Sequence, residues 1–142
     1  MKTRSKRRPG RAGFTLVEVL LVLAILVILA SLVAVAVIPA MKKSRIRAAK
    51  TQISLFTVQF QHYYIDVGSF PTTAQGMEAL RLAPADLIDK WAGPYATKDI
   101  PPDPWGRKYV YQSDDGQNYK ISSIGPDGQL NTDDDIVEIG SS

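Results

Sequence analysis

The sequence predicts an α+β protein in which one long N-terminal helix, half membrane-spanning and half amphipathic, packs on a small antiparallel sheet. An apolar run occupies residues 14–38 of the 142-residue chain. A stripe of apolar residues with helical spacing follows between residues 46 and 63. Two short segments rich in β-favouring residues, 108–112 and 118–122, then flank a turn.

The apolar run is long enough to span a bilayer. It extends over 25 residues from Phe14 to Ile38, and Glu18 is the only charged residue within it. A membrane helix needs about 20 apolar residues, whereas the apolar region of a secretory signal has about 7–15. The small residues Ala12 and Gly13 precede the run instead of following it. We therefore expect a peptidase to cut between Gly13 and Phe14, which leaves the helix on the mature protein.

Glu18 is unusual because a carboxylate in a membrane helix costs a few kcal/mol unless it finds a partner. Cleavage after Gly13 would create a cationic amine on Phe14, one helical turn away. The amine of a neighbouring subunit could neutralise Glu18 and set the axial register between subunits. Alternatively, Glu18 lies at headgroup depth in a simple membrane anchor.

The leader, residues 1–13, predicts the topology. It has no acid and six basic residues: Lys2, Arg4, Lys6, Arg7, Arg8 and Arg11. Basic flanks stay cytoplasmic, so we expect the head to be exported, although five more cations lie between residues 42 and 50. A basic cluster can also bind nucleic acid, but directly before an apolar helix it favours a topology signal. Removing the leader leaves 11 basic and 14 acidic residues, a net charge of −3, and no cysteine is present.

Beyond the membrane, the helix continues with one apolar face to about Tyr64. Its members alternate steps of three and four: Ile46, Ala49, Ile53, Phe56, Phe60 and Tyr63. A coiled coil is the alternative, but the stripe is short for one, and packing on the protein's own sheet is favoured. The single histidine, His62, has no second candidate ligand nearby, so we assign it no chemistry.

The rest of the chain predicts turns and strands. Thr72 and Gln75 have the spacing of a capping box and would open a short helix that ends before Pro84. Four prolines between residues 91 and 106 predict an irregular loop in which Trp105 packs into the core, with an aromatic binding platform as the alternative. A hairpin and a third short strand at residues 136–139 complete the sheet.

An acidic loop follows the hairpin. Residues 127–135 contain four aspartates, three of them adjacent at 133–135. Such crowding is repulsive unless a cation neutralises it, and Ca²⁺ takes about six to eight oxygen ligands in flexible geometry. An EF-hand fits poorly, because Thr132 stands where that loop needs glycine. Oxygen ligands without His or Cys argue against zinc or copper. A solvated acidic turn is the alternative.

The chain resembles two related families. Residues 13–18, Gly-Phe-Thr-Leu-Val-Glu, after a basic leader and before an apolar helix, resemble the signal of type IV pilins and pseudopilins. The segment 64–80, Asp103-Pro104-Trp105-Gly106, and Gly125-Pro126-Asp127-Gly128 with the later aspartates are similar to the major pseudopilin of type II secretion systems. One departure is that Pro39 comes about one turn later than the helix-distorting proline of these proteins.

This resemblance implies a pilin-like fold with a C-terminal calcium loop and a set of site residues. A prepilin peptidase would cut between Gly13 and Phe14 and methylate the new amine, and Glu18 would guide assembly. One Ca²⁺ would be bound by side chains and backbone carbonyls of the loop, and Asp133 is left unassigned. The implied ligands are Ile124, Asp127, Gln129, Thr132, Asp134 and Asp135.

The resemblance implies a structural subunit that polymerises through its N-terminal helix into a periplasmic pseudopilus and drives export of folded proteins across the outer membrane. No nucleophile–base pair and no phosphate-binding glycine loop occur in the sequence to indicate an enzyme instead. The domains would be the leader 1–13, the transmembrane and polymerisation half 14–40, and the periplasmic head 41–142. The chain would sit in the inner membrane as a single-pass protein with a cytoplasmic N-terminus. Its partners would be copies of itself, minor pseudopilins, the peptidase, the assembly platform and lipid, with no nucleic acid.

Three alternatives remain at this stage. A type IV or DNA-uptake pilin would share the assembly route but build a surface fibre, and its frequent C-terminal disulfide cannot form here. A membrane-tethered calcium-binding domain would not polymerise, so that loss of Glu18 would leave its function intact. A soluble enzyme has the least support.

Overall fold

The structure, a computed structural model, describes residues 13–142, except for the side chain of Ala34. The elements in chain order are the helix α1 (Leu16–Val67), a short 3₁₀ helix (Met77–Leu80) and the strands β1 (Val110–Gln112), β2 (Asn118–Ser123) and β3 (Ile136–Ser141). The chain divides into two compact units, with the boundary between Ala40 and Met41. Most of the predicted leader, residues 1–12, lies outside the described residues.

The first unit consists of the apolar part of α1. Every residue from 13 to 40 whose side chain is described is exposed, and by length and composition α1 is apolar enough to cross a membrane. The hydroxyl of Ser31 donates to the carbonyl oxygen of Val27 at 2.8 Å, so this polar side chain is satisfied within the helix. Pro39 lies inside α1 and has no N–H for the carbonyl four residues earlier. A helix face with this composition needs lipid or another chain to cover it.

The second unit has its own hydrophobic core, built by the second part of α1. The predicted stripe is confirmed: Ala49, Ile53, Phe56, Phe60 and Tyr63 are at most 2% exposed. His62, on the other face, is exposed. The helix reaches Val67, three residues beyond the predicted end, and Gly68 follows with a φ of 86°. Helical periodicity therefore located the buried face correctly, and a glycine in the left-handed region terminates the helix.

The sheet is antiparallel, with the order β1-β2-β3. The hairpin β1–β2 pairs Val110 with Ser122, and its turn contains Gly116 at a φ of 68° as predicted. β3 is longer than expected and pairs along all of β2, from Ser123 opposite Ile136 to Asn118 opposite Ser141. β1 is two residues shorter than the predicted segment, because its pairing with β2 begins at Val110.

Aromatic side chains join the helix to the sheet. The ring of Phe60 stacks on Tyr111 and lies tilted against Tyr119, with 4.8 Å between ring centroids in both pairs. Tyr119 also covers Gly140, its partner on β3, where an added Cβ would fall 2.2 Å from the ring. Trp105 is partly buried against the same core, as predicted. The core is thus a small cluster of rings between one helix and one hairpin.

The segment between helix and hairpin is mostly irregular, as its prolines predict. The capping pair is confirmed: the Thr72 N–H donates to Gln75 Oε1 at 2.9 Å, and the Gln75 N–H donates to the Thr72 hydroxyl at 3.3 Å. The helix that follows is a single 3₁₀ turn with Met77 and Leu80 buried. The wider loop from residue 91 to 106 contains no helix or strand.

We expect Phe60→Ala to destabilise the second unit by about 3–5 kcal/mol, because it removes a fully buried ring and leaves a cavity between α1 and the sheet. Chemical denaturation followed by near-ultraviolet circular dichroism measures this. Leu55→Ala is the matched control, since Leu55 lies on the same helix but is 53% exposed. Similar losses for the two variants would contradict the assignment of the core face.

Candidate functional site

The first candidate site is the start of α1, where Gly13 and Phe14 are exposed and precede the helix. Glu18 is engaged by its own chain: the N–H and hydroxyl of Thr15 both donate to Glu18 Oε2, at 2.9 and 3.1 Å. The Glu18 N–H donates back to the Thr15 hydroxyl at 3.2 Å. This reciprocal pair is a capping box. Its Thr-x-x-Glu spacing was readable from the sequence, but the sequence analysis considered only the charge of Glu18.

The capping box does not neutralise Glu18. It supplies polar hydrogens to one carboxylate oxygen, and the formal charge remains. A carboxylate at the N-terminus of a helix is also favoured by the helix dipole. Glu18 is therefore held in a defined position on exposed apolar surface, available to a cationic partner.

The second candidate site is the acidic loop between β2 and β3, where the hydroxyl of Thr132 contacts two other oxygens. It lies 3.1 Å from the Gln129 carbonyl oxygen and 2.8 Å from Asp134 Oδ1. A hydroxyl has one proton, so it can donate to only one of these two acceptors at a time. Three of the predicted ligands, Gln129, Thr132 and Asp134, thus place oxygens close together, and one hydroxyl proton cannot serve both acceptors at once.

The remaining carboxylates of the predicted site accept hydrogen bonds from the loop backbone. Asp134 Oδ2 accepts from the Asp127 N–H at 3.1 Å, and Asp127 Oδ1 accepts from the Gln129 N–H at 2.8 Å. Asp135 Oδ2 accepts from the N–H of Asn131, whose φ is 66°. The Thr132 hydroxyl and then the Asp127 N–H hold the pKa of the Asp134 carboxyl below its usual range, so this group stays ionised at neutral pH.

One buried carboxylate oxygen of the loop has no hydrogen-bond partner. Asp135 Oδ1 is buried and makes no hydrogen bond, which is costly for a charged oxygen unless a cation or donor meets it. Ile124 is half-buried directly after β2 and takes no part in the loop's hydrogen bonds, and Asp133 is exposed. Among the described residues, no three His, Cys, Asp or Glu side chains are grouped closely enough to hold a metal as they stand.

The loop carries the kinds of oxygen ligand that Ca²⁺ prefers, but among the described residues its carboxylates do not already converge on one point. Its free oxygens are carboxylate, hydroxyl and carbonyl groups, the hard ligands that suit this ion. Gly125 has a φ of 60°, and a Cβ there would lie 2.5 Å from the Asp134 carbonyl oxygen. The backbone therefore doubles back on itself so closely that only glycine fits at this point.

A turn before β1 supports the loop. The turn itself was predicted from Asp103-Pro104-Trp105-Gly106 and is confirmed, since the Gly106 N–H donates to the Asp103 carbonyl oxygen at 2.8 Å, but its contacts with the loop were not predicted. Asp103 is 3% exposed; its Oδ1 accepts from the N–H groups of Trp105 and Arg107, at 3.0 and 2.8 Å. Its Oδ2 accepts from the hydroxyl of Ser123, the last residue of β2, at 2.6 Å. The Arg107 guanidinium donates to the Gly125 carbonyl oxygen. An aspartate before Pro-Trp-Gly was the only sequence signal for this turn.

Comparison with known proteins shows the class to which this architecture belongs. The sequence profile described as "Type II secretion system (T2SS), protein G" matches residues 36–142, and that of the prokaryotic N-terminal methylation motif matches residues 8–38. The chain therefore belongs to the type II secretion system protein G family.

Individual relatives agree with this assignment. Type II secretion system core protein G of Escherichia coli K12 is 34% identical over all of this chain and 97% of its own length. That of Aeromonas hydrophila is 40% identical over 92% of each chain. The crystal structure of the major pseudopilin from the type 2 secretion system of enterohaemorrhagic Escherichia coli matches with a TM-score of 0.57 at 29% identity, covering 70% of this chain and 90% of that one.

We expect Asp103→Ala to cost about 3 kcal/mol or more, because it leaves two backbone N–H groups and a hydroxyl without their acceptor, and each unsatisfied donor costs about 1–3 kcal/mol. Asp99→Ala is the control: Asp99 is 86% exposed and pairs with Arg81, and surface ion pairs contribute about 0–1 kcal/mol. Urea denaturation measures both. A loss below about 1 kcal/mol for Asp103→Ala would contradict its role as the anchor of this turn.

Proposed function

We propose that this chain is the principal structural subunit of a type II secretion pseudopilus, which polymerises through α1 and drives folded proteins across the outer membrane. The observation that carries the proposal is the family match along the mature chain, joined to a first unit in which every described apolar side chain is exposed. An isolated soluble domain does not leave such a surface uncovered. The relatives reported above, which are named as protein G of type II secretion systems, favour this function over that of a type IV or DNA-uptake pilin.

The proposed topology places residues 1–13 in the cytoplasm, the helix in the inner membrane and residues 41–142 in the periplasm. The match to the N-terminal methylation motif supports processing between Gly13 and Phe14. The proposed partners are further copies of this chain, minor pseudopilins, the prepilin peptidase and the inner-membrane assembly platform. In this arrangement the charge of Glu18 pairs with the cationic amine of Phe14 in a neighbouring subunit.

The capping box makes a sharp test of assembly possible, because cap and charge can be removed separately. Glu18→Gln keeps an acceptor for the Thr15 N–H but removes the charge, and it leaves the neighbour's amine unpaired at a cost of about 3–5 kcal/mol. Thr15→Ala keeps the charge and the backbone N–H contact but loses both hydrogen bonds of the hydroxyl, which costs about 1 kcal/mol. In a host lacking its own protein G, we expect Glu18→Gln to abolish filaments and exoprotein release. We expect Thr15→Ala to retain both.

Filaments are measured by shearing and sedimentation, and release by the fraction of exoprotein in the medium. Membrane levels of both variants are checked by immunoblot, so that loss of assembly is not confused with loss of protein. Normal filaments from Glu18→Gln would rule out pairing of this carboxylate as the basis of assembly. Normal exoprotein release without any filament would favour a tethered domain that never polymerises.

We also propose that the loop between β2 and β3 binds one Ca²⁺. The Gln129 carbonyl, the Thr132 hydroxyl and the Asp134 carboxylate would hold it, together with Asp127 and Asp135. The Ile124 carbonyl would complete the set. Two observations support this proposal. The neighbouring oxygens of Gln129, Thr132 and Asp134 share a single hydroxyl proton, and Asp135 Oδ1 has no hydrogen-bond partner. The ion would neutralise the clustered aspartates of the loop and would link the loop to the end of β2.

Calcium should raise the melting temperature of the full chain in detergent micelles. At 100 times its dissociation constant an ion adds about 2.7 kcal/mol, equivalent to about 10 °C or more for a domain of this size. We expect Asp134→Ala to abolish this rise while leaving the melting temperature in chelator nearly unchanged. Near-ultraviolet circular dichroism measures the melt, and calorimetric titration measures the stoichiometry.

Asp114→Ala is the matched control, because it removes the same charge from the exposed turn of the β1–β2 hairpin. It should keep the full calcium-dependent rise. An equal loss of melting temperature by Asp134→Ala in calcium and in chelator would reject the site as assigned. Failure of the unmodified chain to bind calcium would leave a solvated acidic loop and would not affect the assembly proposal.

A further inference from the structure

One arginine spans the turn that carries the first aspartate of the acidic loop. Arg107 Nη1 donates to the carbonyl oxygen of Gly125 at 2.5 Å. At the other end of this turn, a Cβ added to Gly128 would lie 2.5 Å from Arg107 Nη2 and 2.6 Å from its central carbon. The guanidinium therefore lies against the bare backbone of Gly128 while holding Gly125, and Asp127 lies between these two contacts in the sequence.

Arg107 is itself held in place from the core. Its backbone N–H donates to the buried carboxylate of Asp103, and its carbonyl accepts from the Asp103 N–H at 2.7 Å. The same carboxylate accepts from Ser123, two residues before Gly125. One turn thus fixes both the strand end that enters the loop and the first turn of the loop. No other described arginine or lysine side chain hydrogen-bonds to the loop.

The two glycines of the turn fit this arrangement. Gly125 and Gly128 have φ values of 60° and 75°, so both adopt a conformation that disfavours side chains. Gly125 faces Asp134 and Gly128 faces Arg107 at distances that leave no room for a Cβ. The Gly-Pro-Asp-Gly segment is therefore packed between an acid of the loop and an arginine outside it.

We propose that Arg107 is the positioning residue of the calcium loop: it sets calcium affinity by fixing the Gly125–Gly128 turn, without contacting the ion. This inference rests on the proposed calcium site. Arg107 offers only N–H donors and a positive charge, so it cannot be a ligand. It resembles the outer-shell partners of metal sites, which orient the ligands.

The charge of Arg107 and its contacts with the turn predict opposite changes in calcium affinity when Arg107 is replaced. A guanidinium near the loop repels Ca²⁺, so if charge dominated, its removal would tighten calcium binding. If fixing the turn dominates, its removal weakens binding, because Asp127 and the Ile124 peptide must then be ordered when the ion binds. The sign of the change in affinity therefore distinguishes a positioning role from a passive surface charge.

The experiment is a calorimetric titration of CaCl₂ into the full chain in detergent micelles, compared among the unmodified protein and three variants. Arg107→Gln should weaken binding by about 10–100-fold, the usual effect of losing an outer-shell partner. Arg107→Lys keeps the charge but loses the planar fork, so it should also weaken binding, by less. Lys108→Gln removes the same charge from an exposed neighbour and should leave the dissociation constant within about twofold, as expected for a screened surface charge.

The melting temperature in chelator separates positioning of the ion site from general support of the fold. We expect Arg107→Gln to change it much less than it changes the calcium-dependent rise. An unchanged or tighter dissociation constant for Arg107→Gln, or a lower melting temperature in chelator with unchanged affinity, would overturn the inference while leaving the calcium site intact. If the unmodified chain binds no calcium, the calcium proposal itself fails, and this inference fails with it.

Discussion

The contact between the buried face of α1 and the tyrosines of the β1–β2 hairpin is the constraint on which the second unit depends. A three-stranded sheet needs a covering element to be stable, and α1 supplies it through Phe56, Phe60 and Tyr63. Phe60 contacts Tyr111 on β1 and Tyr119 on β2, so one side chain aligns both strands. Tyr119 in turn fills the space above Gly140 on β3. Every strand is therefore positioned, directly or through one neighbour, by a single helix face.

Local patterns in the sequence predicted most of this fold. The stripe on α1, the hairpin and the capping pair of Thr72 and Gln75 depend on residues within about one or two turns of each other, and such patterns are visible without a structure. The turn at Asp103 was also predicted, but its support of the acidic loop was not, because that support depends on contacts with Ser123 and Gly125, which are distant in sequence. The spacing of Thr15 and Glu18 was visible in the sequence. The capping box was nevertheless not predicted, because an acid in an apolar run was interpreted by its charge alone.

The candidate sites were predictable only in part, for a related reason. Composition indicated that the acidic loop needs a cation, but it could not show which carboxylate oxygens of the loop accept hydrogen bonds and which do not. In the structure, Asp127, Asp134 and Asp135 accept hydrogen bonds from loop N–H groups. Backbone donors therefore fix the orientation of these three carboxylates, whereas Asp135 Oδ1 is buried without a hydrogen-bond partner. These contacts join residues that are separated in the sequence, so composition alone does not reveal them.

The acidic loop connects two strands that pair with each other, so the stability of the loop affects this pairing. β3 begins at Ile136, directly after Asp135, and pairs with β2 from Ser123 onward. Any fraying of the loop must therefore release the first pair of the β2–β3 ladder. β3 is an edge strand, and Val137 and Ile139 on it are 41% and 70% exposed. An edge strand that carries exposed apolar residues is suited to contact another chain. This strand begins directly after the loop. Calcium in the proposed site would accordingly stabilise the start of β3, where this edge strand begins to pair with β2.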